Sequence, residues 1–257
     1  MKLNVSIEYK TNWGEELVLC LGGKRHPLEY VADGLWKGEV ARFNPEKVAE
    51  YSYELVCGGE VVRTEWKKHK IVLPAGAAPK ELNVYDRWLD RPEDAPFYSS
   101  AFTDAIFGRK AEKAAKAAKG ANVTLQVHAP AIRPNEVLAL AGSGKALKDW
   151  TNVVPFDGTS FPLWTLSMNV SDPFSYKILI ADKDTLEPVA WEDHENRWFV
   201  NVPEKDSHTV EADLQVRFGG RNWKGAGTAI PVFSLRTEDD FGVGEFYDLK
   251  KMVDWAA

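Results

Sequence analysis

Residues 189 to 199 read "VAWEDHENRWF", so Trp191 stands beside Glu192, and the run passes through Asn196 and Arg197 to close on Trp198 and Phe199. So much flat apolar surface in a short polar stretch suits stacking against a ligand better than breaking bonds. An exposed indole lies against an apolar face while polar neighbours reach the rim. A neutral sugar ring offers that combination, with apolar C–H faces bordered by hydroxyls. Tryptophan is rigid, so it covers a large area at little loss of ordering entropy. Trp150 in "KALKDW" supplies a second plane, with Lys177, Glu192 and Asn196 as donors and acceptors. The competing assignment for any tryptophan is the core. Trp164 in "PLWTLSM" and Trp36 in "GLWKGEV" alternate with apolar neighbours and are expected there, whereas Trp150 and Trp191 adjoin Asp149 and Glu192.

The elements that must position these residues are short and strand-like. Apolar and polar residues alternate over Leu3 to Tyr9, Glu50 to Cys57 and Glu81 to Tyr85, and again over Asn122 to Ala129, Leu163 to Val170, Ser175 to Ala181 and Thr209 to Phe218. Gly, Pro and Asp punctuate them, which predicts two tandem antiparallel, immunoglobulin-like β-sandwiches over 1–88 and 122–218. Repetition shows in the spacing: Tyr51 precedes Trp66 by 15 residues, and Tyr176 precedes Trp191 by 15. Upstream, Gly22 to Trp36 is 14 residues and Gly142 to Trp164 is 22, so the second repeat has eight extra residues, and Trp150 lies among them. Residues 89–121 form a linker whose Ala/Lys-rich end predicts a short exposed helix over Arg109 to Lys119. Residues 219–257 change character. An apolar strand over Ala229 to Leu235 leads through an acidic turn to a helix from about Glu245, with Phe246, Leu249, Met252, Val253 and Ala256 at helical spacing. Strand, loop and helix in that order are how a TIM-type β/α barrel begins, here as an incomplete first unit.

Composition limits the partners. The 257 residues carry a net charge of −6 and are 12% aromatic, with ten tryptophans. That balance argues against nucleic-acid or anionic-membrane partners. No apolar run approaches the roughly 18 to 20 residues of a membrane span, and the N-terminus lacks the apolar run of a signal peptide. A cytoplasmic protein is expected. Cys20 and Cys57 sit in apolar runs and are read as buried free thiols rather than a disulfide. No cofactor or metal is expected. "AGSGKAL" misses a phosphate loop, because Ala139 stands where Gly is needed and no Ser or Thr follows Lys145. His26, His69, His128, His194 and His208 are scattered without ligand spacing, which leaves them surface or local hydrogen-bonding roles.

Four segments in order, "LALAGSGKALKDW", "FPLWTLSM", "FSYKIL" and "VAWEDHENRWF", resemble the starch-binding modules of carbohydrate-binding module family 20, over about Asn122 to Phe218. The resemblance implies that Trp150, Lys177, Trp191, Glu192 and Asn196 line a principal α-glucan site. Residues 1–88 resemble the same family less completely. Trp66 stands at the second tryptophan, Ser52 replaces the lysine, and the loop tryptophan is missing with its loop. Either Trp66 stacks alone, or Trp13 in "TNWGEE" serves a second surface, or this module only scaffolds.

The tail, "GAGTAIPVFSLRTEDDFGVGEFYDLKKMVDWAA", resembles the opening of the catalytic barrel in 4-alpha-glucanotransferases of the amylomaltase type, glycoside hydrolase family 77. That resemblance implies a parent enzyme that transfers α-1,4-glucan segments to sugar acceptors. It would be retaining, with a nucleophile and a general acid/base carboxyl roughly 5 Å apart. Those carboxylates are expected on later barrel strands outside these residues. Glu238, Asp239, Asp240, Glu245 and Asp248 are read as loop and helix N-terminal charges, so this chain is expected to be inactive alone. The implied partners are starch, glycogen and maltodextrin α-1,4-glucans, maltooligosaccharides, and the remaining barrel. The alternative is an interaction or dimerisation scaffold with buried tryptophans and no glucan site.

Overall fold

Alternation at the N-terminus sets the pattern: Leu3, Val5 and Ile7 are buried while Lys2, Asn4 and Ser6 are half-buried on the other face. The structure is a computed structural model that describes residues 1–46, 50–108, 118–221 and 229–256. They divide into two units, Met1–Gly220 and Arg221–Ala257.

In the first unit the first repeat comprises β1 (Lys2–Glu8), β2 (Glu15–Leu21), β3 (Lys24–Pro27), β4 (Glu29–Ala32), β5 (Leu35–Val40), β6 (Glu50–Cys57), β7 (Glu60–Thr64), β8 (His69–Lys70) and β9 (Glu81–Arg87). The second comprises β10 (Val123–His128), β11 (Glu136–Gly142), β12 (Val154–Pro155), β13 (Leu163–Met168), β14 (Phe174–Asp182), β15 (Pro188–Trp191), β16 (Arg197–Phe199) and β17 (Ser207–Gln215). The chain is mainly β, and each repeat contributes a sheet of its own: β3-β2-β6-β7 with β8 on β6, and β12-β11-β14-β15 with β16 on β14.

The remaining strands correct the expectation of two separate antiparallel sandwiches. They form one sheet of seven, ordered β13-β10-β17-β9-β1-β5-β4. In it β1 pairs with β9, β10 with β17, and β17 with β9, all in parallel. The last strand of each repeat would otherwise present a bare row of N–H and C=O groups, and their pairing from Ser207↔Glu81 to Glu211↔Tyr85 satisfies both. Buried on both faces, β17 contributes Val210 and Ala212 to the first core and Leu214 to the second.

The first core holds Leu3, Leu17, Leu19, Tyr51 and Tyr53, and the second Leu125, Leu138, Ile178, Ile180 and Phe199. Trp36 and Trp164 are buried in these cores, as their alternation predicts. Each indole N–H is satisfied, from Trp36 to the Tyr9 carbonyl at 3.2 Å and from Trp164 to the Ala129 carbonyl at 2.9 Å.

Other expectations change. Cys20 and Cys57 are free, but Cys20 is half-buried and Cys57 is exposed where β6 ends before the Gly58-Gly59 turn. Residues 109–117 of the Ala/Lys helix lie outside the described residues. The preceding linker has a 3-10 turn at Ala95–Tyr98 and a π-helical turn at Ala101–Ile106.

In the second unit the strand expected over Ala229 to Leu235 is instead a 3-10 turn, Val232–Ser234, flanked by extended Pro231 and Leu235. Pro231 lacks an N–H, and among the described residues of this unit no strand is present to pair with it. A helix follows as α1 (Leu249–Ala256), entered through a 3-10 turn at Phe246–Asp248 with a Glu245/Asp248 capping box. Among the described residues no helix is long and apolar enough to cross a membrane.

Candidate functional site

The 189–199 stretch is built on one edge of β14. Trp191 in β15 lies opposite Leu179, and Arg197, Trp198 and Phe199 in β16 lie opposite Tyr176, Ser175 and Phe174. Between them residues 192–196 loop out of the ladder, which threatens to orphan the backbone of Ile178. Glu192 closes the gap: its N–H donates to the Ile178 carbonyl at 3.1 Å, and its carboxylate accepts the Ile178 N–H at 2.8 Å. Arg197 holds the same carboxylate through Nε at 3.0 Å and Nη2 at 2.8 Å, and also donates to the Gln215 carbonyl at 2.6 Å. Glu192 is 1% exposed. The sequence reading that sets Glu192 at the surface as a ligand acceptor differs from this geometry, because the carboxylate is consumed in standing in for a strand carbonyl. It positions the turn that exposes Trp191 and Asn196.

Trp191 is 42% and Trp150 36% exposed, in contrast with the buried Trp36 and Trp164. Trp150 closes the loop between β11 and β12, where Lys148, Asp149 and Trp150 all adopt left-handed backbone, with φ of 46°, 46° and 70°. Three consecutive non-glycine residues there cost roughly 1 to 3 kcal/mol each and persist only where the surroundings enforce them. The Trp150 N–H donates to the Gly142 carbonyl at 2.7 Å, Asp149 accepts the Gly144 N–H at 3.0 Å, and Leu147 is buried beneath. Gly142 follows Ala141, the strand partner of Lys177. Lys177 is half-buried, two residues along β14 from Leu179 and therefore on the Trp191 face. Trp150 therefore follows β11 on one edge of β14, Trp191 and the exposed Asn196 lie along the other edge, and Lys177 stands on β14 between them.

The first repeat is arranged differently. Trp13 is fully exposed in the turn between β1 and β2, beside Gly14 at φ 82°. Trp66 is half-buried, and the linker covers it: Tyr98 meets the indole edge-on at 5.3 Å, and the Lys67 ammonium lies 5.4 Å from the Trp66 ring and 4.6 Å from the Tyr98 ring. Burial lowers the Lys67 pKa there. Ser52 pairs with Cys20 on the small sheet. Trp13 and Trp66 therefore belong to different surroundings.

A buried polar cluster between the repeats escaped the sequence reading. A bulge in β17 opposite Leu125–Val127, with Asp213 at φ 53°, turns the Asp213 carboxylate toward the first repeat. Asp213 meets His69 Nδ1 at 2.6 Å and also bonds His128 Nε2. His69 Nε2 lies 2.8 Å from Glu65, and Asp86 accepts from the Tyr51 and Tyr53 hydroxyls at 2.7 and 2.5 Å. Burial opposes charge on His69, but Asp86, Asp213 and Glu65 together raise its pKa well above the ordinary value. Burial would raise the Asp213 carboxyl too, yet the bonds from His128 and His69 outweigh it and hold it far below the usual range. Burial pushes Asp86 up to about 6.

His69, Asp86 and Asp213 converge within 4.8 Å, a set of types that could hold a metal. Each ring nitrogen of His69 already bonds a carboxylate, and Asp213 and Asp86 are also engaged by His128 and by the Tyr51 and Tyr53 hydroxyls, so within the protein the group forms a closed hydrogen-bonded cluster. The only precursor in the sequence was the presence of histidines among strand residues.

In the second unit Asp240 accepts the Thr237 and Gly242 N–H groups, Asp248 accepts the Glu245 N–H, and Asp239 pairs with Lys251 at 3.0 Å. These acids shape the loop and the helix start.

Residues 120–211 match the starch binding domain family. The starch binding domain match runs from the end of the linker into β17 and contains Trp150, Lys177, Trp191, Glu192 and Asn196. The chain is also similar to the 4-alpha-glucanotransferase DPE2 of Oryza sativa subsp. japonica, 26% identical over 281 aligned residues, covering 97% of this chain and 29% of that protein. It thus spans under a third of the length of this curated relative. Among solved structures, the family 20 module of the maltotetraose-forming amylase from Pseudomonas saccharophila STB07 is 20% identical, covering 35% of this chain and 97% of that one, with a TM-score of 0.30. A family 15 glucoamylase from Hypocrea jecorina is 19% identical over 41% of this chain and 18% of that one, with a TM-score of 0.33.

Proposed function

We propose that the second repeat binds α-1,4-glucans, from maltooligosaccharides to starch or glycogen, as part of a 4-alpha-glucanotransferase. One observation carries this reading: within the segment matched to starch binding domains, two tryptophans are kept exposed by costly local structure on either side of β14. Trp150 sits at the end of a left-handed run, and Trp191 ends a strand whose exit is pinned by Glu192 and Arg197. A scaffold with buried tryptophans has no use for that outlay. The indoles stack on sugar faces, and Lys177 and Asn196 reach the hydroxyls.

The contribution is effective concentration rather than bond cleavage: glucan held here is presented repeatedly to a tethered catalytic domain. The finer assignment is an amylomaltase-type enzyme of glycoside hydrolase family 77, retaining in mechanism and cytoplasmic, with residues 219–257 entering its barrel and no catalytic carboxylate in this chain. Its support is the tail's sequence resemblance and the use of Asp239, Asp240 and Asp248 in local bonding.

Tryptophan fluorescence tests the site. Adding a cyclic α-glucan should quench emission in the intact chain, and less so in both Trp150→Phe and Trp191→Phe. Equal quenching in all three would remove the assignment.

A further inference from the structure

Among the described residues, the exposed apolar features outside the assigned site include the surface of the second unit, Trp13, Tyr30 with Val31, Val61 with Val62, and Trp198. Only Trp198 is continuous with a surface of stated chemistry. It lies in β16 opposite Ser175, as Trp191 lies in β15 opposite Leu179, so both tryptophans flank the same edge of β14. Ser175, Lys177 and Leu179 alternate onto one face of that strand. Cross-strand partners share a face, so Trp198 and Trp191 stand on the Lys177 face, with Lys177 midway between their positions. The partners Ser175 and Leu179 are four residues apart, which spans about 13 Å of strand. Trp198 is 69% exposed, more than Trp191 or Trp150, although Phe199 beside it is buried and anchors the strand.

We propose that Trp198 is an additional stacking platform that extends the glucan site along β14, so that Trp191, Lys177 and Trp198 follow one chain in a row. This rests on the glucan-binding reading above and adds a length preference to it. A single sugar ring cannot reach both indoles across this span, whereas a chain of several glucosyl units can. The Glu192–Arg197 pairing makes the row possible, because it folds residues 192–196 out of line and lets β16 resume on the edge that β15 left. The row selects longer α-glucans over short ones, and Trp198 supplies the difference.

Calorimetric titration of the full chain with maltotriose and with maltoheptaose tests this, using Trp198→Ala, Trp198→Tyr and Trp191→Ala. Trp198→Ala should weaken maltoheptaose about tenfold and change maltotriose by less than about twofold. Trp198→Tyr should restore most of the loss, and the thermal midpoints of both Trp198 variants should match the parent's. Equal effects on the two sugars, or none on either, would overturn the extension. Trp191→Ala separates the two levels. If it abolishes binding of both sugars while Trp198→Ala is silent, the site stands and the extension falls. If the intact chain binds neither sugar, both fall.

Discussion

Asp213, in the last strand of the second repeat, meets His69 of the first at 2.6 Å, and both side chains are buried. Together with the β9–β17 pairing, this ion pair makes the two repeats share one sheet and one polar interior. Residues 1–220 should therefore unfold in one cooperative transition rather than two. His69→Gln leaves Asp213, Glu65 and Asp86 buried with less compensating charge and should destabilise by about 3 to 5 kcal/mol. Urea denaturation followed by far-UV circular dichroism and by fluorescence checks both points; two separated transitions in the parent would contradict the shared interior.

Glu192 acts on the glucan site without facing it. Glu192→Ala strands the Ile178 N–H and the Arg197 guanidinium together, so it should destabilise by roughly 2 to 4 kcal/mol. It should also release the 192–196 turn and weaken glucan binding at least tenfold. Thermal unfolding and titration with a cyclic α-glucan read the two effects separately. Glucan affinity that survived in a destabilised Glu192→Ala chain would show that the turn need not be pinned.

The loop that carries Trp150 is strained at residues that need not themselves touch sugar. Lys148 has φ 46°, and glycine adopts that conformation without penalty. Lys148→Gly should therefore leave stability unchanged or raise it by up to about 1 kcal/mol, the gain being offset by added freedom in the unfolded chain. A clear loss of stability in urea titration would mean that the Lys148 side chain itself holds the loop.

His208 sets a pH dependence whose sign follows from its surroundings. Burial lowers its pKa from 6.5 to about 4, and its Nε2 lies 2.8 Å from the Thr124 hydroxyl. Between these values the unfolded chain binds more protons than the folded one. The contribution of His208 is thus complete above pH 6.5 and drains away as pH falls toward 4, up to roughly 3 kcal/mol in all. Asp86, raised to about 6, works in the opposite direction over much of that range, but it is common to the parent and a His208→Gln variant. Comparing their urea midpoints at pH 7 and pH 4.5 isolates His208. The parent should lose more stability on acidification, and equal losses would contradict the assignment.

Much of this was legible in the residues. Alternation at Leu3, Val5 and Ile7, and again at Phe174, Tyr176 and Ile178, carried the strands, and the apolar neighbours of Trp36 and Trp164 marked them as core. The polar neighbours of Trp150 and Trp191 marked them as exposed. The fusion of the repeats was not legible, because strand pairing between distant segments leaves no local periodicity. Val210 looks the same whether it enters its own repeat's core or its neighbour's. The bonding of Glu192 is hidden for a related reason: a carboxylate beside an exposed tryptophan reads as polar surface until the ladder gap at Ile178 is known. Ala229 to Leu235 reads as a strand on composition, yet a strand requires a partner.

The central claim is that the exposed tryptophans around β14 bind α-glucan, and titration calorimetry of the intact chain with a cyclic α-glucan, beside Trp191→Ala, addresses it most directly. The account predicts saturable binding by the intact chain and a loss of about 2 kcal/mol or more in Trp191→Ala, a drop of some thirtyfold or greater. Binding of equal strength in both proteins, or none in the intact chain, would contradict it.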